Sequence, residues 1–116
     1  MSRIDLPKSV KAGGLVISQP EARLQRRIQK ALKDKYGPEI WLMKIHGGPL
    51  TLAGAPDLIG CIRGIFFGIE VKMPESIDNV SAIQQRVHAR IRRAGGVVTV
   101  CSSVTDALQF VRQICQ

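Results

Sequence analysis

Asp57 and the triplet Glu70-Val71-Lys72 lie on two short apolar runs, Leu58 to Ile62 and Ile65 to Val71, joined by Arg63-Gly64. Two such runs around a two-residue turn read as an antiparallel hairpin. A turn at Arg63-Gly64 pairs Ile62 with Ile65 and, five rungs on, Asp57 with Glu70. Directly opposed residues hold their Cβ atoms about 5 Å apart, and like charges placed there repel. Two carboxylates in that position are explained by a cation between them. Hard divalent ions such as Mg²⁺ or Mn²⁺ suit a few carboxylates and keep waters for reaction. Alternate strand residues share a face, so Lys72 lies beside Glu70, about 7 Å along. A cation there is placed either to orient a water and stabilise developing charge or to form an ordinary ion pair with Glu70.

The elements that must hold these residues follow from periodicity. Ser18-Gln19-Pro20-Glu21 has the form of a capping box opening a helix. Leu24, Ile28, Ala31 and Leu32 give that helix an apolar stripe, and Gly37-Pro38 stops it. Glu21 completes the box, yet three residues before Leu24 it also projects from the core-facing side. A strand is expected over residues 39–45, with Lys44 and His46 on one side, followed by a loop rich in Gly and Pro. After the hairpin, Ser81-Ala82-Ile83-Gln84 is a second capping box. The inner stripe of its helix is predicted as Ile83, Val87, Ile91 and Ala94. Gln84 shares that face, whereas His88, among arginines, has no special claim. Val97 to Cys101 is continuously apolar, as for a strand buried on both faces. A last helix carries Ala107, Leu108, Val111 and Ile114. The order α-β-β-β-α-β-α, with a helix crossing between the Glu70 and Val97 strands, implies an α/β fold: a mixed sheet with helices on both faces. Residues 1–17 read as an arm or short edge strand, and 18–116 as one domain.

The 116 residues carry a net charge of +8, which favours a polyanionic partner. Aromatic content of 4% supplies little for stacking on single strands, so contacts to duplex phosphates fit better. No apolar stretch approaches the ~20 residues that span a bilayer, and the N-terminus lacks a signal-peptide core. Cys61, Cys101 and Cys115 are odd in number and widely spaced, which argues against a disulfide scaffold. A cytoplasmic location with reduced thiols is expected. Arg23, Arg26, Arg27, Lys30 and Lys33 decorate the first helix away from its apolar stripe, and Arg86, Arg90 and Arg93 the outer face of the second. These stripes are either solvated surface or a grip on phosphates.

Asp57 after a proline, followed by Glu70-Val71-Lys72, resembles the PD-(D/E)xK nuclease signature. The wider run resembles the VRR-NUC family in its short stand-alone form. It comprises Lys44-Ile45-His46-Gly47-Gly48, Gly54-Ala55-Pro56-Asp57-Leu58, Glu70-Val71-Lys72-Met73-Pro74, Ser81-Ala82-Ile83-Gln84, Gly95-Gly96-Val97 and Ser103-Val104-Thr105-Asp106. The likeness covers residues 20–112, with Ala55 where a β-branched residue is usual. It implies a restriction-endonuclease-like core and a catalytic role for Lys72. It also implies a glutamate on the first helix in the metal site, matched by Glu21, and a glutamine near the active site, matched by Gln84. Lys44 and His46 gain a possible role at the substrate.

The sequence thus predicts a Mg²⁺- or Mn²⁺-dependent endodeoxyribonuclease. Asp57, Glu70, the Val71 carbonyl and Glu21 would hold metal, and Asp57, Glu70, Lys72 and Gln84 would form the catalytic set. Lys44, His46, Arg23, Arg27, Arg86 and Arg90 would meet nucleic acid. Symmetric cutting of a four-way junction requires two sites on a two-fold axis, so a homodimer acting on branched DNA is expected. The rivals are a catalytically silent nuclease fold that only binds DNA and a small basic RNA-associated protein. If the arginines grip phosphates, affinity should fall steeply between 50 and 200 mM salt, by about tenfold or more. Fluorescence anisotropy on a labelled duplex measures this, and a flat response would return them to plain surface.

Overall fold

The computed structural model describes residues 10–12, 14–15, 19–48 and 52–116. Most of the expected N-terminal arm lies outside these residues. Within it, β1 (Val10–Ala12) and β2 (Gly14–Leu15) pair antiparallel as a separate two-stranded ribbon.

Helix α1 (Pro20–Tyr36) begins with proline at its first position, where the missing N–H costs nothing. Gln19 is the N-cap, without a side-chain bond to the helix. Glu21 is therefore the second helical residue, one short of the place from which the return bond is made. Ser18 lies outside the described residues. Leu24, Ile28 and Leu32 form the buried stripe, joined by Gln25. A 3₁₀ turn over Gly37–Glu39 leads into β3 (Ile40–Lys44), so the strand is shorter than expected at both ends.

β4 (Leu58–Ile62) and β5 (Ile65–Val71) form the predicted hairpin, with Ile62 opposite Ile65 and Leu58 opposite Ile69. Arg63 (φ 52°) and Gly64 (φ 79°) both adopt the left-handed region. That is the type I′ geometry whose twist matches the strands it joins. The main sheet runs β3-β4-β5-β6, with β6 (Val97–Cys101) parallel to β5 and the other neighbours antiparallel. The crossover from β5 to β6 carries α2 (Ala82–Arg93), and α3 (Val104–Ile114) follows β6.

The register assigns the two faces. Leu42, Phe67 and Val97 align across the sheet, as do Leu58 and Ile69 one step along. These residues face α1 and α3 and make a single core with Leu24, Ile28, Leu32, Ala107 and Val111. Phe67 meets Phe110 of α3 edge to face, ring centroids 6.1 Å apart. The opposite face carries Trp41, Ile59, Phe66 and Glu70, and α2 covers only its β5-β6 half. Trp41, 56% exposed, marks the open half.

Two expectations need correction. β6 is an edge strand of the described sheet, and its buried residues Val98 and Cys101 lie on opposite faces, so it is covered on both, but Val97, Thr99 and Val100 are only half-buried. The inner line of α2 is also not the apolar stripe. Ile83 and Ala94 are exposed, Val87 and Ile91 half-buried, and the single buried residue of the helix is His88. The helix lies over a carboxylate, so its polar residues turn inward. The cysteines are free thiols. Burial, helped by Asp106, pushes the Cys101 thiol up to about 12, which leaves it unreactive.

Gly60 marks where the hairpin meets β3 most closely. A Cβ there would lie 2.5 Å from the Trp41 carbonyl oxygen and 2.5 Å from the Phe67 ring. Gly60→Ala should therefore destabilise the protein by about 1–3 kcal/mol, read as a lower urea midpoint at unchanged slope. An unchanged midpoint would mean that β3 and Phe67 yield freely.

Candidate active site

Asp57 is the last residue before β4, and its carbonyl accepts from the Ile45 N–H at 2.8 Å. One step beyond the Leu58–Ile69 pair the register sets Asp57 opposite Glu70. Lys72 N–H donates to the Cys101 carbonyl on β6, while Val71 N–H donates to Asp57 Oδ2 at 2.8 Å. Backbone groups of β5 therefore alternate in direction, and Glu70 turns its own toward β6. Asp57 and Glu70 thus face each other without exchanging backbone bonds, the closer of the two antiparallel spacings.

The same counting sets Pro56 opposite Val71. Proline has no N–H, so the ladder cannot supply a donor to the Val71 carbonyl. Asp57 takes over the other half of that pair by accepting the Val71 N–H. The proline thus leaves a main-chain oxygen without its usual partner beside two carboxylates.

Glu70 is 2% exposed. Its Oε2 accepts from Gln84 Nε2 at 2.8 Å and has Lys72 Nζ at 4.0 Å, the outer limit of an ion pair. Gln84 also closes the capping box of α2: its Oε1 accepts from the Ser81 N–H and its N–H donates to Ser81 Oγ. One amide thus caps the helix and bonds Glu70. Glu70 Oε1 has no partner and faces His88 Nε2, equally without one, at 4.0 Å. Burial, then the charge of Asp57, pushes the Glu70 carboxyl up to about 8; Lys72 opposes this, and the closeness of the Asp57 carboxyl and the charge of Glu21 add to it. Burial, with Arg92, holds His88 below the usual imidazole range, against a smaller pull from Asp57.

Among the described residues no group of three or more His, Cys, Asp or Glu side chains is gathered as a metal cluster. The candidate donor set is instead two facing carboxylates, with the Val71 carbonyl beside them and Glu21 near enough to be felt by Glu70. That set fits a hard divalent cation. A dry carboxylate with an unpartnered oxygen and too little positive charge around it gains most from one.

The basic residues are dispersed. Lys44 is on the α1 side of the sheet and hydrogen-bonds Gln25, so it projects away from the face that carries Glu70. His46 lies past the end of β3 and is exposed. Arg23 and Arg27 line a 380 Å³ cavity with Met73, Pro74, Ser102 and Ser103. Arg86 and Arg90 are exposed on α2, Arg90 at the rim of an apolar recess formed with Phe66, Val87 and Ile91. Sequence reasoning missed Gln25 and His88. The signal for His88 was its spacing: four residues after Gln84, it shares that residue's helical face.

No family model and no curated protein matches the chain. A solved structure described as a VRR_NUC domain is similar to it. The two are 27% identical, the match covers 75% of this chain and 92% of that one, and the TM-score is 0.53.

The Glu70 environment sets a pH dependence. The folded-state pKa lies above the unfolded value, so the fold binds the extra proton between them. The stability associated with Glu70 is fully present below pH 4.5, its ordinary value, and is lost as pH rises through about 8. Glu70→Gln should raise the melting temperature of metal-free protein at pH 8.5 by about 4 °C or more, with a smaller gain at pH 5. Equal gains at both pH values would show that Glu70 is not held protonated.

Proposed function

From the VRR-NUC family fold of this chain we propose a metal-dependent endonuclease that hydrolyses phosphodiesters in branched DNA such as four-way junctions. The fold supports a nuclease-type function. The observation that carries the finer reading is the facing pair of half-buried Asp57 and buried Glu70, with one Glu70 oxygen unpartnered. Such a pair is costly to keep without a cation.

Asp57, Glu70, the Val71 carbonyl and Glu21 would hold one or two Mg²⁺ or Mn²⁺ ions. A bound ion supplies Lewis-acid polarisation of the phosphate and a water of lowered pKa. Lys72, on the face of β5 that carries Glu70, orients the attacking water or offsets negative charge as it gathers on phosphorus. The water's oxygen forms the new bond to phosphorus as its proton passes to solvent, the phosphorus–oxygen ester bond breaks, and the bridging oxygen leaves with the electron pair and takes up a proton from solvent. Gln84 fixes the orientation of Glu70 by donating to its Oε2. Arg23, Arg27, Arg86, Arg90, Lys44 and His46 meet the flanking backbone, which selects shape rather than base sequence. Paired cuts in a junction require two copies, so the working form is a homodimer. No helix of the described residues is long and apolar enough to cross a membrane, and a cytoplasmic site of action suits a nucleic-acid substrate.

The test is cleavage of labelled linear, nicked, flapped and four-way DNA with Mg²⁺. Four-way DNA should be cut fastest, and Glu70→Ala should lose about a thousandfold in rate, several kcal/mol of barrier. Binding in Ca²⁺ should persist without turnover. Cutting by Glu70→Ala at the wild-type rate, or by neither protein, would leave a DNA-binding module instead. A preference for RNA in competition would favour an RNA-associated role.

A further inference from the structure

We propose that His88 is a positioning residue for the metal-binding carboxylate: its Nε2–H secures Glu70 Oε1 while Gln84 secures Oε2, so one face of α2 fixes both oxygens. This rests on the metal-nuclease reading and deepens it.

Three observations carry it. Glu70 Oε1 and His88 Nε2 are the buried side-chain polar atoms of the described residues that lack any partner, and they face each other at 4.0 Å. His88 is 3% exposed and is the one buried residue of α2. It follows Gln84 by one helical turn, so both side chains reach the same carboxylate from one rigid element. Each buried atom without a partner carries an uncompensated desolvation penalty, and closing their gap to hydrogen-bond length takes about 1 Å of movement. An ionised Glu70 can only accept, so the proton belongs on Nε2 of a neutral imidazole. The ionised carboxylate that a cation would bind is then held at both oxygens, and less ordering remains to oppose binding. Partners of metal-ligating carboxylates typically account for 10–100-fold in metal affinity.

The test is calorimetric Mn²⁺ binding to the intact protein without DNA, alongside steady-state cleavage of a four-way junction. His88→Phe keeps the bulk of the ring and removes the donor. It should weaken Mn²⁺ binding about tenfold or more and lower kcat at saturating DNA with KM for DNA little changed. His88→Gln, whose amide nitrogen reaches a similar distance from the helix, should recover most of the affinity. Should His88→Phe fail to fold, His88→Asn, too short to reach Oε1, takes its place with the same expected loss. Wild-type affinity in His88→Phe overturns the proposal while leaving the metal centre standing. Equal losses in His88→Gln and His88→Phe also overturn it, because shape alone would then matter. No Mn²⁺ binding by the wild type sinks the metal-nuclease reading, and this proposal with it.

Discussion

A carboxylate taken out of water and set opposite another carboxylate is the constraint on which the arrangement of this protein depends. Glu70 is dry, faces Asp57, and has one cation, Lys72, only at the edge of ion-pair range. Left to itself the group stays protonated to about pH 8. Much of the surrounding structure can be understood as what is needed to hold it there. The β4-β5 register sets the two acids opposite one another, and the Val71 N–H bonds one Asp57 oxygen. Helix α2 delivers an amide to one Glu70 oxygen and an imidazole toward the other.

The hairpin accounts for the register at small cost in sequence. Arg63-Gly64 closes it in a geometry that admits no slippage without turning every side chain to the opposite face. At the other end Pro56 ends the ladder, and Gly68 makes room for the proline ring: a Cβ there would lie 2.8 Å from Pro56 Cγ. Order at both ends of a five-residue pairing fixes where Asp57 projects. The core beneath, between the sheet and helices α1 and α3, keeps those strands from moving.

Helix α2 belongs to the site more than to the core. Its apolar residues are half-buried or exposed, while its buried line is polar. Gln84 ties two tasks together, since one amide both caps the helix and bonds Glu70. Fraying of the first turn of α2 would therefore release the carboxylate as well. The positive charge, by contrast, is spread over α1, α2 and the end of β3 rather than gathered around the acids, as suits contacts to an extended polyanion.

Local chemistry determined the parts of this protein that sequence alone could specify. The Arg-Gly turn dictates the hairpin and therefore the facing of Asp57 and Glu70, because a two-residue turn leaves one register. The Ser81–Gln84 box and the apolar stripes of α1 and α3 follow from helical spacing in the same way. Tertiary structure decided what depends on neighbours distant in sequence. The apolar run of β6 lies at the edge of the sheet because no other described strand pairs beyond it. Helix α2 turned His88 inward, against its hydrophobic pattern, because the element beneath it presents a carboxylate rather than an apolar surface. Lys44 joined Gln25 on the α1 side of the sheet because strand alternation, not proximity along the chain, sets the face to which a side chain belongs.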